Sequence, residues 1–169
     1  LEKDRLNEPN LGRNEECRRL ERCVHADTSQ LVVVYGRRRV GKTYLINQFF
    51  HNNFAFKITG IYGENRTTQL NNFVMALNRN SSKKYDVPND WYEAFEYLRE
   101  YIGKLSKKNK QIIFIDEMPW LDTHKSGFLP AFELFWNDFA AALDNIVLIV
   151  CGSATSWMDK KIANNKGGL

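Results

Sequence analysis

Leu31-Val32-Val33-Val34-Tyr35-Gly36-Arg37-Arg38-Arg39-Val40-Gly41-Lys42-Thr43 is the stretch whose reading decides the fold of this chain. Its first five residues are apolar and rich in β-branched side chains, which predicts a parallel strand buried on both faces. Gly36 to Thr43 then spells Gly-x-x-x-x-Gly-Lys-Thr, the pattern of a polyphosphate-binding loop. Leu45, Ile46, Phe49 and Phe50 follow at helical spacing. Strand, glycine loop and helix, in that order, are the context in which the pattern becomes a site. The glycines let the backbone close round phosphates, while successive N–H groups and the helix N-terminus supply partial positive charge. Gly36, Arg37, Arg38, Arg39, Val40, Gly41, Lys42 and Thr43 are therefore the candidate nucleotide contacts. Lys42 is also a catalytic candidate, because it would reach the β- and γ-phosphates. The Thr43 hydroxyl would sit on Mg²⁺.

A second motif bears on the chemistry. Gln111-Ile112-Ile113-Phe114-Ile115-Asp116-Glu117 is an apolar run closed by two acids. It reads as a buried strand whose end brings Asp116 to the Mg²⁺ shell beside Thr43. Glu117 is placed to take a proton from an attacking water. The adjacent glutamate favours ATP hydrolysis over phosphoryl transfer to a small acceptor. The third element, Ile146-Val147-Leu148-Ile149-Val150-Cys151-Gly152-Ser153, is another buried strand ending in a small polar residue. In P-loop ATPases with an additional strand between the first two, that strand's tip carries a polar group that senses the γ-phosphate. Ser153 is the candidate, with Thr155 and Ser156 behind it.

The 169 residues suit one domain, and 43% hydrophobic with 26% charged residues is ordinary globular composition. A net charge of +4 and a pI near 8.9 are compatible with nucleic acid without requiring it. The lysines between Lys104 and Lys110 read as a solvated loop. Cys17, Cys23 and Cys151 lack Cys-x-x-Cys spacing and read as small core residues of a reducing, cytoplasmic compartment. His25, His51 and His124 show no ligand spacing. No apolar run has transmembrane length and no signal peptide is visible, so no membrane partner is expected. A start at Leu1 suggests that the natural N-terminus lies further upstream.

Periodicity places a helix over Asn14 to His25, with Asn14 as its N-cap. Phe54 to Ile61 reads as a second strand. Leu70, Phe73, Val74 and Leu77 mark an amphipathic helix, and Asn78 to Pro88 a loop. Asp90 is read as the cap of a further helix, with Glu93 as capping-box partner and Tyr92, Phe95, Leu98 and Ile102 facing inward. Phe132, Phe135, Trp136, Phe139 and Leu143 line one more helix, packed on the sheet. Strands alternating with helices imply a parallel three-layer α/β sheet, whose ligands sit at the strands' C-terminal ends. No Gly-x-Gly-x-x-Gly follows the first strand, which argues against a dinucleotide site.

Four segments together resemble a known family: Leu11-Gly12-Arg13-Asn14-Glu15-Glu16, Tyr35 to Thr43, Ile115-Asp116-Glu117-Met118-Pro119-Trp120, and Cys151-Gly152-Ser153. The chain is similar to the archaeal-type ATPases, P-loop proteins related to the AAA+ and STAND groups, from about Leu11 to its end. The resemblance implies an additional-strand (AAA+-like) P-loop NTPase sheet of order 5-1-4-3-2, and it implies that Leu11, Gly12 and Arg13 border the adenine of ATP or ADP. Relatives continue into a fifth strand, a helical lid or winged helix, and often a nuclease-like domain. Residues 1–169 are thus expected to be the nucleotide-binding core without those parts, and no arginine finger or second sensor is assigned.

Two readings remain open. In the first, the chain is a Mg²⁺-dependent ATPase core coupled to a C-terminal effector, with Lys42, Glu117 and Ser153 catalytic, Thr43 and Asp116 on the metal, and turnover that draws on the missing parts. In the second, it is a nucleotide-gated switch with negligible turnover. A DNA-acting ATPase module, reaching DNA through another domain, is the weaker variant, and homo-oligomerisation is left open.

Overall fold

The computed structural model describes residues 13–153 together with 157 and 161. The sheet is all parallel and consists of β1 (Gln30–Tyr35), β2 (Phe56–Thr59), β3 (Gln111–Asp116) and β4 (Ile146–Gly152). Its order is β1-β4-β3-β2, so β4 lies between β1 and β3 as the additional strand. Among the described residues this is the 1-4-3-2 portion of the order that the resemblance implied. Helices α1 (Asn14–His25), α2 (Lys42–Phe49), α3 (Arg66–Asn80), α4 (Trp91–Gly103) and α5 (Phe128–Asp138) precede and connect the strands, with α3 and α4 both between β2 and β3. A 3₁₀ turn, Met118–Trp120, directly follows β3.

The continuous apolar runs of β3 and β4 have a simple cause: both faces of each strand are covered. Ile146, Leu148 and Val150 of β4 join Ile113 and Ile115 of β3 on the side of α3, α4 and α5. The alternate residues, Val147, Ile149 and Cys151 with Ile112 and Phe114, face Leu20 of α1 and Leu45 and Ile46 of α2. The first of these two cores is strongly aromatic. Trp91 meets Phe73 and Phe128 edge to face, at 5.7 and 4.9 Å between ring centroids. Phe95 stacks on Phe135 at 5.2 Å. At the end of the sheet away from the loop, Ser29 Oγ donates to the Leu143 carbonyl and accepts from the Ile146 N–H. Lys110 also acts there. Its ammonium donates to the carbonyls of Thr28 and Asp144, so this one lysine of the basic stretch ties two loops together.

Several boundaries differ from the sequence reading. The α1 ladder starts with Cys17 N–H donating to Arg13 O, which makes Asn14 the first helical residue and Arg13 the cap. The second strand keeps only Phe56–Thr59 of the expected stretch, and α3 runs through Asn80 into the expected loop. Asp90 does cap α4, its Oδ1 accepting from Glu93 N–H at 2.9 Å. Glu93, however, reaches past Asp90 to the N–H of Asn89. Its other oxygen accepts from the Tyr97 hydroxyl, a bond that lifts the Tyr97 pKa to about 12. Tyr92 is exposed because Trp91, fully buried, sets the phase of the helix. Phe139 and Leu143 fall beyond α5, around a second 3₁₀ turn, Ala140–Ala142.

Cys17 and Cys23 are half-buried and Cys151 is buried, all three as free thiols. No helix among the described residues is long and apolar enough to cross a membrane. The α4 cap gives a direct test of this packing. Asp90→Ala should lower unfolding stability by about 1 kcal/mol, read as a shift of the urea midpoint at unchanged slope. An unmoved midpoint would show that the cap contributes nothing.

Candidate functional site

The strand register builds the site. Tyr35 pairs with Gly152, Ile115 with Val150, and Thr59 with Asp116. Each chain therefore leaves the sheet at one edge, and the next residues stand side by side: Gly36, Ser153, Glu117 and Gly60. The insertion of β4 is what brings Ser153 between the glycine loop and the two acids.

The loop itself turns through left-handed backbone. Gly41, at φ +77, caps α2, and Arg39 lies at φ +60. Lys42 opens α2 and is only 8% exposed, with its ammonium folded back to donate to Gly36 O at 2.9 Å and Arg37 O at 2.7 Å. Thr43 Oγ1 donates to Asp116 Oδ2 at 2.9 Å, and Asp116 is itself 3% exposed. The other carboxylate oxygen of Asp116 accepts the Glu117 N–H at 3.0 Å. Behind it, burial and then the Asp116 charge push the Cys151 thiol well above its ordinary pKa, so it stays a neutral packing group.

Glu117 takes φ +48, ψ +42, a left-handed conformation that costs a non-glycine residue about 1–3 kcal/mol. The turn aims its carboxylate at Ser153, whose Oγ donates to Glu117 Oε2 at 3.2 Å. Arg38 Nε in turn donates to Ser153 Oγ at 3.3 Å. The structure thus brings Lys42, Thr43, Asp116, Glu117, Ser153 and Arg38 together. Arg13 reaches the same loop from the start of α1, its Nη1 donating to Gly41 O at 3.4 Å. Leu11, Gly12, Thr155 and Ser156 lie outside the described residues. The backbone of Gly36, Arg37 and Val40 forms the loop, with the Val40 side chain exposed.

A cavity of about 560 Å³ opens at this edge. Arg38, Arg39, Lys42 and Thr43 line one side of it, and Gly60, Tyr62, Glu117 and Trp120 the other. Gly60, Tyr62 and Gln69, which hold the second wall together with Trp120, lie outside the sequence motifs. Gln69, fully buried on α3, accepts from Ile61 N–H and donates to the carbonyls of Ile61 and Trp120. It fastens the segment after β2 to the 3₁₀ turn after β3. Tyr62 and Trp120 meet edge to face at 4.6 Å. Gly60 is required by close approach, since a Cβ there would lie 2.4 Å from Glu117 O. Gly60 closes an apolar run and Gln69 sits one residue before the buried Leu70, but neither position carries a chemical signal that sequence alone could single out.

The donor set suits Mg²⁺. Thr43 Oγ1 and Asp116 Oδ2 are hard oxygens 2.9 Å apart beside the loop. Mg²⁺ characteristically takes one or two protein oxygens and completes its shell with phosphate and water.

The chain is similar to several known proteins. A family model described as an ATPase domain predominantly from Archaea matches residues 11–167. An uncharacterized protein of Methanocaldococcus jannaschii is 27% identical over 159 residues, 94% of this chain and 33% of that protein. An uncharacterized ATP-binding protein of the same organism is 48% identical over 42 residues, 25% of this chain and 71% of that one. In structure, the Walker-type ATPase of Pyrococcus abyssi superposes with a TM-score of 0.63 at 21% identity, over 93% of this chain and 51% of that chain. The chain thus spans about a third of the length of the first curated relative and about half of that solved structure.

The contact at Gly60 is testable without any ligand. Gly60→Ala must displace the Glu117 peptide and should destabilise the fold by about 1–3 kcal/mol in urea. Gly103→Ala, whose added Cβ meets nothing within 4 Å, should change stability little. Equal effects of the two would remove the close approach as a constraint.

Proposed function

The chain belongs to the family of ATPase domains found predominantly in Archaea, and from that premise we propose that it binds ATP and hydrolyses it at the edge shared by β1, β4 and β3. The observation that carries the reading is the linked set of hydrogen bonds, Thr43 to Asp116 and Ser153 to Glu117, closing round the loop that holds Lys42. Lys42 would exchange its two loop carbonyls for phosphate oxygens, a stronger, charge-assisted pairing. Thr43 would keep its proton on Asp116, which leaves its lone pairs outward. Thr43 and Asp116 would hold Mg²⁺, which when bound offsets phosphate charge.

In the reaction, the oxygen of a water molecule bonds to the γ-phosphorus and its proton passes to Glu117. The bond from the γ-phosphorus to the bridging oxygen breaks, and its electron pair leaves with ADP. Ser153, hydrogen-bonded to Glu117, would orient that carboxylate and report the γ-phosphate. Arg13, together with Leu11 and Gly12, would border the nucleotide where the loop meets α1.

A nucleotide-gated switch with slow turnover is the second reading, and one observation favours it. Glu117 is engaged by Ser153, and Ser153 by Arg38. A base held in this way would act only after the chain rearranges. Coupling to an effector, to DNA or to further copies is proposed from the sequence resemblance alone.

Single-turnover phosphate release from Mg·ATP tests the proposal. Lys42→Ala should weaken ATP binding about a hundredfold or more. Glu117→Gln should bind ATP as the parent does and lose about 10²- to 10⁴-fold in release. Undiminished release from Glu117→Gln would overturn the role given to that residue. Tight binding with no release from the parent would favour the switch.

A further inference from the structure

Arg38 is the second residue after Gly36, on the rim of the cavity that holds Lys42 and Glu117. Its guanidinium is always charged, yet its partners are weak ones. Nε donates to the neutral Ser153 Oγ at 3.3 Å. The guanidinium carbon lies 5.5 Å from the centre of the Trp120 ring and 5.9 Å from that of Tyr62. None of the ion pairs among the described residues includes it. The Tyr62–Trp120 pair is a shelf for the cation, fixed from beneath by Gln69. Cation–π contacts at exposed positions are weak, whereas charge-assisted, forked bonds to phosphate are roughly twice as strong as neutral ones. A phosphate oxygen within reach therefore competes well for this side chain.

We propose that Arg38 is a further catalytic residue, an arginine supplied by the phosphate loop itself to the terminal phosphate of ATP. The inference rests on the ATPase reading above. Arg38 lies one hydroxyl away from Glu117, so it approaches the reacting group from the side of the attacking water. As water bonds to the γ-phosphorus, gives its proton to Glu117, and the bridging oxygen departs with ADP, the guanidinium keeps its protons and stabilises charge on the transferring phosphoryl oxygens. Moving Arg38 to phosphate also removes the donor from Ser153 Oγ. The serine oxygen is then open to the γ-phosphate side while its hydroxyl keeps Glu117 Oε2 in place, and the other Glu117 oxygen accepts from water. ADP has no third phosphate to draw Arg38 from the shelf, so the residue distinguishes ATP from ADP.

The test compares the full chain with Arg38→Ala and Arg38→Lys, exposed-site changes that leave the core intact. The readouts are affinity for ADP, for ATP and for ADP with aluminium fluoride, and single-turnover phosphate release. Arg38→Ala should leave ADP affinity within about twofold of the parent. It should weaken binding of ATP and of ADP with aluminium fluoride at least about tenfold, and slow release about a hundredfold or more. Arg38→Lys should recover only a small part, because a point charge does not reproduce the planar fork. An equal loss for ADP and ATP would reduce Arg38 to a shaper of the loop, and faster release would make it a brake; either overturns the proposal. A parent that binds ATP without releasing phosphate fails the hydrolysis reading separately. The Arg38 contact is then decided by the ATP-to-ADP affinity ratio alone, which must fall in Arg38→Ala for that contact to stand.

Discussion

The insertion of β4 between β1 and β3 is the constraint on which the rest of this structure depends. It is a demand on composition before it is a demand on geometry. A central parallel strand is covered on both faces and paired on both edges, so every residue from Ile146 to Gly152 is buried. Once that strand is seated, its register with β1 and β3 leaves little freedom at the upper edge of the sheet. Ser153 must emerge beside Gly36 and beside the Asp116–Glu117 pair, and the hydrogen bonds from Ser153 to Glu117 and from Arg38 to Ser153 follow from that adjacency. The glycine loop does not make a candidate site alone. It becomes one because two other strand ends are held against it.

Precision at the acidic side is obtained by strain and close contact. Glu117 is left-handed without being glycine, a conformation that persists only where its surroundings enforce it. Those surroundings are identifiable. Asp116 accepts the Glu117 N–H, Gly60 presses against the Glu117 carbonyl, and Gln69 locks the neighbouring segment through three hydrogen bonds. A buried amide that satisfies two backbone segments at once gives both of them one position. The wall formed by Tyr62 and Trp120 is thereby joined to the segment that carries Glu117.

The fold class and the chemical groups of the site were legible in sequence for definable reasons. The strand, loop and helix around Lys42 form a local pattern, and the apolar runs ending at Asp116 and Ser153 announce doubly covered strands. Helix phases were harder to read. Tyr92 and Trp91 are adjacent and both aromatic, and only tertiary packing against Phe73 and Phe128 selects Trp91 for the core. Asn14 and Glu93 were displaced by single residues because capping depends on where the first backbone bond forms, not on residue type alone. Of the second wall, Glu117 and the segment that ends at Trp120 were legible, but the contacts that hold it were not. Gly60, Gln69 and Trp120 act through contacts between segments far apart in the chain, and such contacts leave no periodicity. Arg38 was visible as one of three successive arginines, but nothing in the run distinguishes the one that stacks on Trp120 and Tyr62 from its neighbours.

The seating of β4 also bears on how the chain reaches this state. β1 comes first of the four described strands, yet the described strand it pairs with comes last. Until β4 is in place, β1 has no partner among the described strands and the loop after it has no fixed edge to leave. The α3, α4 and α5 face can assemble its aromatic cluster from segments closer in sequence. The glycine loop must await a distant one, at the entropic cost that slows parallel sheets in general. Among the four described strands, β1 therefore waits for the partner most distant in sequence, and its ladder is the most non-local pairing of this sheet.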